Sequence, residues 1–341
     1  MLVSELRALL KKYNEEDLRL LISEMYKAMP KKLREEKEID ALLQDVHLQL
    51  RLKRVDRVRN RQIDINDLKP DIEQFIDFAY NQYYFAPNNF IHKKERPKWR
   101  FKVKAYIKSL QEVPLEGEEG RTATALLEKL YEMLCYACAY YIFSTEDPFK
   151  SVGIEQTTLL DIVIKRKLGH GINKESVKSV LALVINSTAD RETLPSFLIN
   201  VMMENLQYPD SKEIAIEQGM ALKAELERKK ANPSKESCFS SHSDYEREEK
   251  INNLVETVFR LYIELCEYEK GIKYFKNNNI KRNSEVSLFI LLELLFEYDL
   301  KEYWLNEYDE AVEKGVKPRE SLQRTYNYIK ENDELPDCFL C

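Results

Sequence analysis

Apolar residues recur three and four positions apart along most of the chain, and this spacing predicts a succession of amphipathic helices. Near the N-terminus it predicts helices over residues 2–10 and 17–29, with Asn14 as an N-cap and Pro30 as a stop. A longer helix is predicted from about residue 35 to residue 61. Its last turns are rich in arginine, which suits the negative end of the helix dipole and explains part of this clustering.

Two prolines indicate where the next helices begin. Pro70 and Pro97 are each predicted in a first helical turn, where the N–H that proline lacks would have no helical partner. The helix after Pro97 carries one apolar stripe, which consists of Trp99, Val103, Tyr106, Ile107 and Leu110. Residues 99–105 also alternate as a strand would, but the helical stripe is longer and favours a helix.

Further helices are predicted over residues 122–143, 156–168, 174–186, 194–206 and 211–230. The acidic, glycine-containing segment 112–120 is interpreted as a linker, and the serine-rich segment 231–244 as a mobile separator. These two segments predict three domains: a basic helical domain over 1–111, a central helical domain over 121–230 and a C-terminal repeat-like domain over 246–341.

The C-terminal domain resembles a known repeat family. Residues 266–278, CEYEKGIKYFKNN, are similar to the turn and second helix of a tetratricopeptide repeat, and residues 254–265 would supply the first helix. A second helical pair follows between Val286 and Pro318. The resemblance covers about residues 254–321, with a shorter period than the family's and Gly271 where alanine is usual. It implies stacked helical hairpins, and hairpin repeats of another kind fit nearly as well.

Composition supports an all-α fold of such hairpins in two or three units. Charged residues make up 33% of the chain and only 8 residues are glycine, which leaves no glycine-rich phosphate loop. No apolar run is long enough to span a membrane, and the N-terminus does not read as a secretory signal. We therefore expect a cytoplasmic protein with reduced cysteines.

Charge and aromatic residues concentrate together between Tyr80 and Lys108. Eight Lys or Arg residues lie between Lys93 and Lys108, against the single acid Glu95. The first 110 residues carry a net positive charge, whereas the remainder carries a net negative charge. Cations that meet phosphates and rings that stack on bases would suit RNA or single-stranded DNA.

The cysteines and histidines give weaker indications of a redox or metal site. Cys135 and Cys138 have the spacing of redox and zinc motifs, but their apolar helix favours buried structural cysteine. A zinc site formed by Cys238, His242, Cys338 and Cys341 would have to join two segments about a hundred residues apart, and it is the less favoured interpretation. We therefore expect no cofactor. The absence of known catalytic motifs makes an enzyme the less favoured class.

The leading hypothesis is a non-enzymatic scaffold or regulatory adaptor that binds a protein or peptide partner in a C-terminal groove. Aromatic contacts in this groove would come from Tyr268, Tyr274, Tyr298, Tyr303, Trp304 and Tyr308. The alternative hypothesis is a nucleic-acid-binding factor that uses Arg51, Arg54, Arg57, Lys93, Lys94, Arg96, Lys98, Arg100 and Lys102. The same basic face could instead dock on the chain's own acidic half, and the sequence sets no oligomeric state.

Overall fold

A computed structural model describes residues 9–36, 39–46, 65–231, 240–280 and 283–339. The fold is 75% helix, with 16 α-helices and no β-strand in these ranges, which confirms the all-α class. The chain divides into two compact units, Met1–Asp64 and Ile65–Cys341. Within the described ranges no helix is long and apolar enough to cross a membrane.

Three short helices make up the described part of the first unit: α1 (Glu15–Ala28), α2 (Lys31–Glu36) and α3 (Ile39–Gln44). Asn14 caps α1 as predicted, because its side-chain oxygen accepts a hydrogen bond from the Asp17 N–H at 2.8 Å. The helix predicted from about residue 35 to residue 61 is interrupted, because Asp45 is not helical; residues 37–38 and 47–64 lie outside the described ranges. Neither α1 nor α3 has a buried residue, so no packed core extends these helices.

The second unit contains thirteen of the described α-helices. The first seven are α4 (Ile65–Tyr80), α5 (Trp99–Glu112), α6 (Gly117–Ala139), α7 (Pro148–Val152), α8 (Gln156–Gly169), α9 (Lys174–Asn186) and α10 (Pro195–Asn205). The other six are α11 (Pro209–Ala231), α12 (Ser240–Glu264), α13 (Tyr268–Asn278), α14 (Ser284–Glu297), α15 (Lys301–Glu313) and α16 (Glu320–Asn332). Pro70 lies inside α4, which therefore begins earlier than predicted. Pro97 lies in a 3₁₀ turn, Arg96–Lys98, that leads into α5.

The segment interpreted as a linker after α5 is a tight corner. Val113 is buried, and its carbonyl oxygen accepts a hydrogen bond from Arg166 on α8 at 3.1 Å. Gly120 allows the corner to close, since a Cβ there would lie 2.1 Å from the Leu115 carbonyl oxygen. The corner therefore ties α5 and α6 to α8. Both predicted domain boundaries lie inside the second unit, and the three-domain division stays a prediction.

The C-terminal helices pack as two helical pairs. α12 packs along α13 and α14 packs along α15, around a core that contains Phe259 and Trp304. Gly271 permits the first pair to approach closely, because a Cβ there would lie 3.1 Å from the Tyr262 Cβ. The helix α12 begins at Ser240, inside the segment interpreted as mobile, while residues 232–239 lie outside the described ranges.

Candidate nucleic-acid interface

Three helices of the second unit bring their ends together. α6 packs against both α4 and α5. Because only residues 113–116 separate α5 from α6, these two helices run antiparallel. α4 and α6 run in the same direction, since Glu73 pairs with Lys129 at 3.0 Å and the Tyr80 ring meets the Tyr136 ring at 5.2 Å. The C-terminal ends of α4 and α6 therefore lie beside the N-terminal end of α5.

Aromatic side chains fill the interior of this end. Trp99 and Phe143 stack with their ring centroids 3.8 Å apart, and Phe143 also meets Tyr84 at 5.9 Å. Burial raises the pKa of Tyr84 to about 12, and Asp71 adds to the rise. Burial likewise raises the pKa of Tyr106, whose hydroxyl donates to an Asp71 carboxylate oxygen at 2.6 Å. The predicted Trp99 stripe is thus core, and all five of its residues are buried.

A second set of rings at the same end faces solvent. These side chains are between 40% and 65% exposed: Tyr80, Phe90, Phe101, Tyr136, Tyr140 and Tyr141. All except Phe101 contact another aromatic ring; for example, Tyr136 stacks on Tyr140 at 4.5 Å and Phe85 on Tyr141 at 5.9 Å. Sequence reasoning found the first three but missed the tyrosines of α6 and the segment after it. These tyrosines lie in CYACAYY, residues 135–141, and the sequence prediction places this whole segment in one apolar helix.

The predicted cations of this region divide into two groups. Arg96 is held by hydrogen bonds from its guanidinium to the Ile91 carbonyl oxygen at 2.9 Å and to Asn89 at 3.1 Å, so it has a structural role. Lys98 pairs with Glu95 at 2.7 Å. The other cations are exposed and form no ion pair within the described ranges: Lys93, Lys94, Arg100 and Lys102. Arg51, Arg54 and Arg57 lie outside those ranges.

We call the six exposed rings and the four exposed cations Lys93, Lys94, Arg100 and Lys102 the end surface. Acids also border it. The Glu132 carboxylate lies close enough to Tyr80 to add to the rise that burial causes in the pKa of that phenol, and Glu146 and Asp190 line a cleft with Tyr140 and Tyr141. Burial also raises the pKa of Glu132 itself, and Glu128 adds to the rise. The Arg100 guanidinium lies over the Phe101 ring at 4.9 Å, so a cation and a ring are presented together.

Two of the six aromatic residues predicted to line a C-terminal groove are part of the core, and the other four pack against it. Trp304 and Tyr308 are buried. The remaining four are half-buried and pack against the same cluster: Tyr268, Tyr274, Tyr298 and Tyr303. A cleft of about 210 Å³ does open between α14 and α15. Its lining is aliphatic and charged, and includes Leu288, Leu291, Ala311 and Val316 together with Lys276 and Glu310.

The described cysteines include both free thiols and one disulfide-bonded residue. Burial raises the pKa of Cys135 to about 11 and also raises the pKa of Cys138, so both thiols stay protonated near neutral pH. Cys338 is disulfide-bonded, where a reduced thiol was expected. No three His, Cys, Asp or Glu side chains gather as metal ligands in the part of the chain that the structure describes. Cys238, Cys341 and the side chain of His242 lie outside it.

Known proteins give no further guide to function. The chain matches no protein-family model, no curated protein and no solved structure. Function is therefore inferred from the end surface and the C-terminal cleft.

Proposed function

We propose that the protein binds nucleic acid through the end surface. The observation that carries this proposal is the group of exposed cations Lys93, Lys94, Arg100 and Lys102, which have no ion-pair partner within the described ranges. Elsewhere in the second unit many surface cations are paired, as Lys150 is with Glu192 and Lys174 with Glu217. Unpaired cations concentrated at one end attract a polyanion and gain free energy from the counterions it releases.

The packing of α5 explains why its cations point outward. Trp99 and Val103 turn one face of the helix into the core, and Arg100 and Lys102, two positions apart, project from the two flanks of that face into solvent. Exposed Phe101 lies between them in sequence and projects from the side opposite the core. Phosphates can meet the cations while a base or sugar contacts the ring, a combination that a charged surface without rings lacks.

A second candidate function is the scaffold or adaptor role that the sequence favours. The observation for it is the cleft of about 210 Å³ between α14 and α15, whose aliphatic floor could take a side chain of a peptide partner. In this candidate the C-terminal hairpins would form a repeat-like stack. Both candidate functions assume a cytoplasmic location, which only the sequence supports.

Fluorescence anisotropy with labelled RNA and DNA at several salt concentrations tests the proposal. The triple variant K94E/R100E/K102E should bind far more weakly than the natural chain, because three phosphate contacts become repulsive. A matched control is K273E/K317E/R324E, which makes the same charge change at other exposed positions of the second unit. The natural chain and the control should share a slope of log affinity against log salt, whereas the slope of the triple variant should be smaller by about 3.

Equal weakening by both variants would show that only net charge matters and would contradict a specific surface. No binding by the natural chain at low salt would exclude the proposal itself. The scaffold candidate would then be the one to pursue.

A further inference from the structure

Three tyrosines at the C-terminal end of α6 are exposed although the residues that follow them are buried. Tyr136, Tyr140 and Tyr141 are at least 40% exposed, whereas Ile142 and Phe143 are each 1% exposed. We call the three rings the tyrosine surface. A group of exposed rings at one helix end is a patch that folding alone does not require, and such patches mark interaction sites.

The rings of the tyrosine surface are held in place. Tyr136 and Tyr140 are stacked, with planes 24° apart, and the Tyr80 ring meets Tyr136 edge-on. The Tyr141 carbonyl oxygen accepts a hydrogen bond from Gln82 Nε2 at 3.1 Å. Rings that are already ordered lose little conformational entropy when a partner packs on them.

One side of the tyrosine surface carries an acid without an ion pair. Glu132 lies four residues before Tyr136 on α6, so the two side chains lie on the same helix face. Lys129 and Lys167 favour the ionisation of Glu132, but each forms its ion pair with another acid. Glu132 is exposed and has no ion pair within the described ranges. An available carboxylate therefore borders the rings on this side.

The other side of the tyrosine surface opens into an acidic cleft. The cleft has a volume of about 170 Å³, and Glu146 and Asp190 line it together with Tyr140 and Tyr141. Arg191 also lines the cleft and pairs with Glu146 at 2.6 Å, whereas Asp190 forms no ion pair in the part of the chain that the structure describes. Pockets for drug-sized ligands begin at about 300 Å³, so this cleft suits the end of one long side chain.

We propose that the tyrosine surface and its cleft bind an arginine-containing segment of a partner protein. One guanidinium enters the cleft, pairs with Asp190 and stacks on a tyrosine ring, while a second cation of the segment meets Glu132. Charge complementarity selects this occupant, because ring faces and unpaired carboxylates attract a cation and the carboxylates repel phosphates. Arginine fits better than lysine, since its planar guanidinium stacks on rings and forms two parallel hydrogen bonds to a carboxylate.

This inference goes beyond the proposed function and does not rest on it, because the cations of the end surface carry that proposal and the acids beside the tyrosines carry this one. The test measures the fluorescence anisotropy of four labelled peptides with arginine, lysine, citrulline or glutamate at the same positions of a Gly-Ser sequence. The arginine peptide should bind most tightly, and its affinity should fall as salt rises. Citrulline keeps the shape of arginine without its charge, so its peptide should bind at least about tenfold more weakly.

The variant E132Q/D190N removes both unpaired charges and nearly keeps the side-chain volumes. An amide oxygen at position 190 can still accept the hydrogen bond that Asp190 accepts from the Glu192 N–H at 3.0 Å. The arginine peptide should bind this variant at least about threefold more weakly, the effect of losing two exposed charge contacts. The control E331Q/D299N makes the same change at exposed acids elsewhere in the second unit and should match the natural chain.

The variant Y140L/Y141L removes the rings at the cleft. It should bind the arginine peptide about tenfold more weakly, because two ring contacts to a cation are lost. The control Y208L/Y245L removes two exposed tyrosines from other parts of the second unit and should leave the affinity unchanged. Far-UV circular dichroism on heating checks folding, and E132Q/D190N carries the test alone if the tyrosine variant unfolds.

The failures can be told apart. Equal affinity for the arginine and citrulline peptides would overturn the role of charge, and equal affinity for the lysine peptide would overturn the choice of arginine. Unchanged affinity for the arginine peptide in E132Q/D190N would overturn the site. If Y140L/Y141L loses affinity for nucleic acid and not for the peptide, nucleic acid occupies the rings instead.

The proposed function is tested separately on the same proteins. K94E/R100E/K102E should lose affinity for nucleic acid and keep its affinity for the arginine peptide. A natural chain that binds nucleic acid but none of the peptides would overturn this inference alone. A natural chain that binds the arginine peptide but no nucleic acid would overturn only the proposed function.

Discussion

At the scale of single residues, Glu132 sets a condition on the end surface. Its carboxylate lies near Tyr80 and, when ionised, would repel the phosphates of a nucleic acid bound at the end surface. Burial is the main reason that the pKa of Glu132 is raised; Glu128 opposes its ionisation further, while Lys167 and Lys129 favour it. Glu132 therefore becomes neutral at a higher pH than an ordinary glutamate does.

We expect Glu132→Gln to strengthen binding of single-stranded DNA at pH 7 by a few-fold, about the effect of removing one nearby like charge. The natural chain should approach the affinity of this variant as the pH falls from 7 towards 5, because protonation also removes the charge. Anisotropy titrations at each pH measure both. A difference in affinity between the natural chain and the variant that does not narrow as the pH falls would contradict this account.

Some positions of single side chains are predictable from the sequence, whereas others depend on how the chain packs. The stripe that contains Trp99 and Val103 is predictable because helical spacing alone puts its members on one face. The exposure of Tyr140 and Tyr141 is not, because it depends on the chain leaving α6 and turning Phe143 beneath Trp99. Burial of Trp304 and Tyr308 likewise follows from packing between helices that are distant in sequence.

At the scale of elements, local signals fix many helix bounds. Asn173 caps α9 by accepting hydrogen bonds from the Glu175 and Ser176 N–H groups, and this helix spans the residues predicted for it. Helices without a side-chain cap can agree as well, as α8 does with the helix predicted over 156–168. The helix predicted from residue 35 is divided, since its described part buries no side chain that would favour one continuous helix.

One ion pair links α12 and α14, two C-terminal helices that are not consecutive in the sequence. The buried Arg260 on α12 donates two hydrogen bonds to the Glu297 carboxylate at the end of α14, both 2.7 Å long, and a third to Glu256 at 3.0 Å. Burial by itself would lower the pKa of Arg260, but hydrogen bonding to Glu297 and the charge of Glu256 raise it. Arg260 therefore stays charged and depends on these acceptors.

We expect Glu297→Gln to lower the free energy of unfolding by about 2 kcal/mol, because hydrogen bonds from a buried cation lose their charged acceptor. The control is Glu320→Gln, which removes the acid of an exposed Arg324 pair and should cost less than about 0.5 kcal/mol. Urea denaturation of the two variants gives both values. Equal and small effects would show that Glu256 alone satisfies Arg260.

At the scale of the whole molecule, the two units differ in how they are stabilised. No described residue of Met1–Asp64 is buried, whereas Ile65–Cys341 contains the hydrophobic cores around Trp99 and Trp304. Since cooperative stability comes from buried apolar area, the described cores that provide it lie in the second unit. The end surface also lies wholly within the second unit.

Deletion of residues 1–64 should therefore leave a chain that folds and binds. We expect residues 65–341 to melt within about 3 °C of the full-length chain, since a domain of this size shifts by only a few degrees per kcal/mol. Salt-dependent binding of single-stranded DNA should persist, because Lys94, Arg100 and Lys102 are retained. Calorimetry and anisotropy on the two chains measure these outcomes. If the shorter chain folds but no longer binds, the basic segment with Arg51, Arg54 and Arg57 carries the interaction, and the end surface does not.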